Sequence, residues 1–155
     1  MAFVRYLKPE NIRIHCLVSS KEALLDLLSE IASESDVGVP QKVLKQKLLE
    51  REVTMSTGIG NSVGVPHTLL DEVKGLHPFV ITLKDPIPFE SVDKKPVSVV
   101  IGLFGSTENP NLSLGALATL GRMLRDEDFV QTLWKADSRE ELHRLLCEKK
   151  DLKEA

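Results

Sequence analysis

The sequence predicts an α/β fold: a single-domain sandwich over residues 1–155 in which helices cover a central mixed β-sheet. Three observations lead there. Two segments, Phe79–Leu83 and Val97–Phe104, are dense in Val, Ile and Phe, which suit a pleated, covered surface. Others place apolar residues three and four apart, the spacing of one helical face. The elements run strand, helix, helix, shaped loop, strands, helices, an order that stacks helices on a sheet. A chain of 155 residues, 42% hydrophobic and 28% charged, buries roughly two-thirds of its unfolded surface without help from metals or disulfides. No internal repeat or linker divides it.

Ile12, Ile14, Cys16 and Val18 alternate with polar or basic neighbours, which is strand period over residues 11–18. Ser19, with Glu22 three residues on, has the form of a capping box. Ala23, Leu24, Leu27, Leu28 and Ile31 then share one face of a helix over Lys21–Ser33. Pro40 is placed to open the next helix, whose apolar stripe is Val43, Leu44 and Leu48. Residues 52–67, EVTMSTGIGNSVGVPH, hold too much glycine for a helix and too many apolar groups for a solvated linker. They read as a shaped loop with a β-like piece at Ser62–Val65.

Val97–Phe104 is apolar almost throughout, as a central strand covered on both faces must be. The connection before it is punctuated by proline and has turn chemistry at Asp93-Lys94. Residues 105–113, GSTENPNLS, read as a polar loop. Leu114, Leu117, Ala118, Leu120 and Leu124 mark a helix to about Arg125, and Phe129–Trp134 a short one. Ser138 with Glu141 caps a last helix that buries Leu142, Leu145 and Leu146. Residues after Lys149 are charged and expected to fray.

Composition excludes several functions. Twenty basic against 23 acidic residues, a net charge of -3, argues against a nucleic-acid or anionic-membrane binder. Cys16 and Cys147 are too few for a disulfide framework or a four-cysteine zinc site. The histidines at 15, 67, 77 and 143 pair at no metal-ligand spacing on one helix, so no metal is expected. Met1–Pro9 contains no apolar run of signal-peptide length, and the most apolar stretch, Pro96–Gly105, is about half of a membrane span. The expectation is a cytoplasmic protein with no membrane span. There is no GxxxxGK[ST], no HExxH and no GxSxG, and Thr57-Gly-Ile-Gly60 lacks the third glycine and following helix of a dinucleotide fingerprint. No cofactor is expected.

His67 stands apart from His15, His77 and His143, which read as structural. It follows Pro66, whose ring stiffens the approach, and glycines at 58, 60 and 64 let backbone N–H groups come close to whatever it holds. Cys147 reads as lacking a base and so as unreactive.

Residues 52–67 resemble the phosphorylation-site signature of the type 2 EIIA domains of the bacterial phosphotransferase system (PTS), the fructose/mannitol class that includes the nitrogen-regulatory EIIA proteins. Leu48-Leu-Glu-Arg51-Glu resembles the arginine-bearing helix end before that signature. Residues 84–93 resemble the connection after it, and residues 96–105 and 114–120 the central strand and next helix. The resemblance therefore spans essentially the whole chain.

It implies a phosphoryl carrier. His67 would accept a phosphoryl group from the phosphohistidine of a small carrier protein, HPr or its nitrogen-branch counterpart. Sugar-transporting versions pass the group on to an EIIB domain. The chemistry needs a neutral imidazole nitrogen as nucleophile, with the other nitrogen holding a proton. Arg51 would stabilise the phosphoryl charge, and Thr57, Gly58, Gly60 and Asn61 would form the phosphate-contacting loop. The chain departs from the pattern at Gly64, where alanine is common, at Thr68, where a small residue is, and at Ser113, which stands in place of a second histidine.

No EIIB, EIIC or HPr-like segment accompanies the domain, and the second histidine is absent. The expectation is therefore a stand-alone or regulatory version more than a sugar-specific transporter subunit. The competing class is an interaction protein that keeps the fold and binds a partner with little or no phosphotransfer.

Overall fold

The computed structural model describes residues 2–54, 56–91 and 93–149; the fraying expected after Lys149 lies outside them. The elements in chain order are α1 (Ala2–Tyr6), a short 3-10 turn (Pro9–Asn11), β1 (Ile12–Cys16), α2 (Lys21–Ser33), α3 (Gln41–Thr54), β2 (Gly58–Gly60), β3 (Val63–Gly64), β4 (His67–Leu70), β5 (Leu76–Ile87), β6 (Val97–Ser106), α4 (Pro110–Met123), α5 (Glu127–Lys135) and α6 (Arg139–Glu148).

The expected mixed sheet covered by helices is present. Its strands run β1-β5-β6-β3-β2, and β4 also pairs with β6. β1 lies parallel to β5, β5 antiparallel to β6, and β3 and β4 both parallel to β6.

β6 is buried at all ten positions, because both of its faces are covered. From Val99 onward its side chains alternate strictly between the two faces. Val99, Ile101 and Leu103 enter the core beneath α1, α4, α5 and α6. Val100 and Phe104 enter the core beneath α2 and α3, where Phe104 meets Phe79 edge to face at 5.8 Å between centroids. Gly102 shares that second face. A Cβ there would sit 2.7 Å from both terminal methyls of Leu28, so the missing side chain lets α2 lie close against the sheet.

Several boundaries differ from the sequence reading, each for a local reason. Ser20, not Ser19, caps α2: its Oγ accepts the N–H of Ala23 at 3.1 Å. β1 stops at Cys16 rather than continuing to residue 18, because His15 takes a left-handed φ of 50° at an irregularity between Arg13 and Cys16. The loop expected over 105–113 is mostly regular structure. β6 continues to Ser106 and α4 opens at Pro110, a proline at the helix start that needs no N–H partner. α4 ends at Met123, short of Arg125. The shaped segment is helical through Thr54 and then contributes β2, β3 and the first residue of β4. α1 and the 3-10 turn carry too few residues for a periodicity to show.

The Gly102–Leu28 contact yields a test. Gly102→Ala should destabilise the fold by about 1–3 kcal/mol through overpacking, and Leu28→Ala by about 2–5 kcal/mol through a cavity. Because the added methyl enters the space the leucine leaves, the double variant should lose less than the sum of the single variants in urea unfolding. Strict additivity would show that the two sites do not share a packing volume.

Candidate functional site

The local path of the chain around His67 follows from pairing. β3 and β4 are both registered on β6, Gly64 opposite Val100 and His67 opposite Leu103. Val65 and Pro66 must bridge between them. The Val65 N–H donates to Thr57 O at 2.9 Å, and the Leu103 N–H donates to Pro66 O at 2.9 Å. Pro66 has no N–H to satisfy. Held this way, the Val65 carbonyl lies 2.6 Å from Nδ1 of His67.

A carbonyl can only accept, so Nδ1 carries the ring proton and Nε2 keeps its lone pair. His67 is half-buried. Burial is the main cause pulling its pKa below the ordinary 6.5; the Val65 hydrogen bond opposes, Arg51 adds to the lowering, and Glu52 opposes. The imidazole is therefore neutral at neutral pH.

His67 opens into a cleft of about 510 Å³. Arg51 reaches it from the last turn of α3. Thr57, Gly58, Gly60 and Asn61 form one wall, and Leu117, Leu120 and Leu124 of the α4 segment an apolar one. The fold thus brings together six of the seven residues expected at the site. Ser113 is not among the residues that line the cleft. It is buried in the first turn of α4, and its Oγ has no hydrogen-bond partner among the described residues. It packs against the backbone at Gly105, where a Cβ would collide with that oxygen.

The loop amides are more committed than the glycine content suggests. The Thr57 N–H and hydroxyl both donate to the Glu52 carboxylate, the Gly58 N–H to Ser56 Oγ at 3.1 Å, and the Asn61 N–H to Asp93 Oδ2 at 3.0 Å. The Asn61 side-chain amide donates to Leu124 O at 3.0 Å and Arg125 O at 3.2 Å, which ties the loop to the end of α4. Gly60, Asn61 and Ser62 all have positive φ, the left-handed turn that reverses β2 into β3. Gly64 has its own reason: the Phe89 ring lies 3.1 Å from where an alanine Cβ would be.

Three parts of the site escaped the sequence reading. Glu52 forms an ion pair with Lys21 at 2.5 Å, the two side chains only 7% and 18% exposed. Lys21 also sits 4.6 Å over the Phe89 ring. This buried pair fastens the loop to the start of α2, and its members are too far apart in sequence for any local pattern to join them. Ser56 is the second, donating to Phe89 O at 2.6 Å. Arg125 is the third, at the cleft mouth just past α4; a basic residue at a helix end was the available signal.

Away from the cleft, Cys147 does have an imidazole beside it. The His143 nitrogens lie 3.7 and 3.9 Å from Sγ, and His143 Nε2 reaches Leu7 O at 3.3 Å. The sulfur is nearly equidistant from both nitrogens and so lies off the line of either lone pair. Among the described residues, no three His, Cys, Asp or Glu side chains are grouped to hold a metal ion. No described helix is long and apolar enough to cross a membrane.

Residues 5–149 match the family described as "Phosphoenolpyruvate-dependent sugar phosphotransferase system, EIIA 2". The chain belongs to this EIIA type 2 family. It is 32% identical over 138 residues to the nitrogen regulatory protein of Escherichia coli (strain K12), covering 88% of this chain and 82% of that one. The crystal structure of nitrogen regulatory protein IIA-Ntr from Neisseria meningitidis superposes with a TM-score of 0.89 at 25% identity, covering 94% of this chain and 99% of that one. The Escherichia coli enzyme IIA of the mannitol system, solved in complex with its phosphorylated enzyme IIB, shares the fold at a TM-score of 0.79 and 23% identity, covering 91% of this chain and 96% of that one. EIIA domains of this family are phosphotransferase components.

Two outcomes follow from the electrostatics. The folded state binds a proton at His67 less readily than the unfolded chain does. The residue therefore opposes folding as pH falls below the unfolded value near 6.5, and stability rises with pH through that window. NMR titration should place the His67 midpoint below 6.5, and Arg51→Gln should raise it, since the guanidinium depresses it. Separately, Lys21→Met strands the Glu52 carboxylate and should cost about 3–5 kcal/mol. Adding Glu52→Gln should recover much of that loss in chemical denaturation, which a solvent-screened pair would not show.

Proposed function

We propose that this EIIA domain is a cytoplasmic phosphoryl carrier that accepts its phosphoryl group on Nε2 of His67. One observation carries the reading: the Val65 carbonyl holds the ring proton on Nδ1, which leaves the Nε2 lone pair as the nucleophile beside Arg51. The donor is the phosphohistidine of an HPr-type carrier or its nitrogen-branch counterpart. In the transfer the donor's N–P bond breaks and an Nε2–P bond forms, while the Val65 carbonyl keeps the Nδ1 proton in place. Negative charge spreads over the phosphoryl oxygens, and the planar guanidinium of Arg51 can engage two of them at once. The apolar wall of Leu117, Leu120 and Leu124 lowers the local dielectric and strengthens that attraction.

Regulation is favoured over sugar transport. The likeness to nitrogen regulatory proteins in sequence and shape supports it. Where sugar transport is the role, the acceptor is an EIIB domain, as in the mannitol complex. A reading in which the fold binds a regulated partner and the phosphoryl step is lost draws on Ser113, which brings no group to the cleft.

The test is incubation with a phosphorylated HPr-type carrier. Wild type should acquire an acid-labile, alkali-stable phosphoryl group that His67→Ala does not. Arg51→Lys keeps the charge but loses the fork and should slow transfer 10–100-fold, about 1.4–2.7 kcal/mol of barrier, with the melting temperature little changed. Undiminished labelling of His67→Ala would refute the assignment. An unlabelled wild type that still binds a partner would favour the interaction reading.

A further inference from the structure

A second arginine, Arg125, lines the cleft besides Arg51. We infer that Arg125 is a second phosphoryl-binding cation, which acts on the group carried by His67 from the end of α4 as Arg51 does from the end of α3; this rests on the reading of His67 as phosphoryl acceptor. Arg125 lines the same cleft as His67 and Arg51. It is exposed, and it forms no ion pair with a carboxylate among the described residues. Its neighbour Asp126 is occupied by Lys149 at 2.7 Å and by the N–H of Phe129.

The position is anchored. The Asn61 side chain donates to the carbonyls of Leu124 and Arg125, so the backbone of Arg125 is fixed to the loop that leads into His67.

Electrostatics supplies the reason for a cation there. α4 ends at Met123, and the residues that follow its last turn border the cleft. A helix C-terminus carries roughly half a negative charge on its unpaired carbonyls and so repels an anion. Asn61 covers the carbonyl of the capping residue Leu124 and the next one, that of Arg125, with an amide but adds no charge. A phosphoryl group brings about −1.5 to −2 at neutral pH. The Lys21 cation is spent on Glu52, so Arg51 alone would leave the group undercompensated beside a repelling helix end. The opposite end of α4 sends no help, since Ser113 is packed on Gly105. Arg125 balances both the helix end and the remaining phosphoryl charge.

Phosphoramidate is a donor that needs no protein partner. In its zwitterionic form the P–N bond breaks, ammonia departs with the bonding electrons, and the His67 Nε2 lone pair forms the new N–P bond while Nδ1 keeps its proton. Single-turnover labelling by phosphoramidate should be about 10-fold slower in Arg125→Gln than in wild type, and no more than about 3-fold slower in Arg125→Lys, which keeps the charge. Melting temperatures should match, because the side chain is exposed. The Arg125→Gln deficit should shrink as salt rises, a response that a merely structural role would not produce. If wild type and Arg125→Gln are labelled at equal rates while His67→Ala is unlabelled, the inference is overturned and the reading of His67 stands. If wild type itself takes no phosphoryl group, the reading falls and this inference with it.

Discussion

β6 is the strand on which everything else is registered. Its burial on both faces makes its position the least negotiable in the fold, and β3 and β4 both attach to it in parallel. The chain between them has only Val65 and Pro66 with which to pass from one pairing to the next. That short bridge points the Val65 carbonyl at Nδ1 of His67. The choice of tautomer, and with it which ring nitrogen keeps its lone pair, is a consequence of backbone pairing.

The loop on the other side of the cleft is held by different physics. Its glycines permit a tight path, and an ion pair, a hydroxyl and an amide then fix that path. The Lys21–Glu52 pair is shielded from water, where removing one partner costs far more than the pair contributes net. Such an arrangement makes the loop specific in position more than it makes the protein stable. It also keeps the Glu52 charge from cancelling Arg51 at the cleft, although Glu52 still opposes the lowering of the His67 pKa.

α4 serves the core and the cleft at once. Leu120 and Leu124 pack beneath the sheet and also line the cleft wall, so the apolar surface beside His67 continues the core. The cleft thus combines an apolar, low-dielectric lining with arginines, and in the proposed carrier fixed charges in such a setting would act strongly on a transferring phosphoryl group.

The α/β class, the central apolar strand, the bounds of α2 and the cap of α6 were all legible in the sequence, because each depends on periodicity or on contacts within a few residues. The signature around His67 was legible too, as a run of glycines ending in Pro-His that matches the family. Its departure at Gly64 was visible, but its cause was not: Phe89 lies far along the chain, and only the fold places its ring there. The same holds for Lys21 with Glu52 and for Arg125 beside His67. Ser113 shows the limit from the other direction, since alignment with the family put it at the site and helix packing turned it onto Gly105. The sequence by itself determined the elements and the identity of the candidate nucleophile, which follow from local spacing. Which charges surround that nucleophile, and which of its nitrogens is free, were decided only in the tertiary structure, because they depend on long-range contacts that leave no period in the chain.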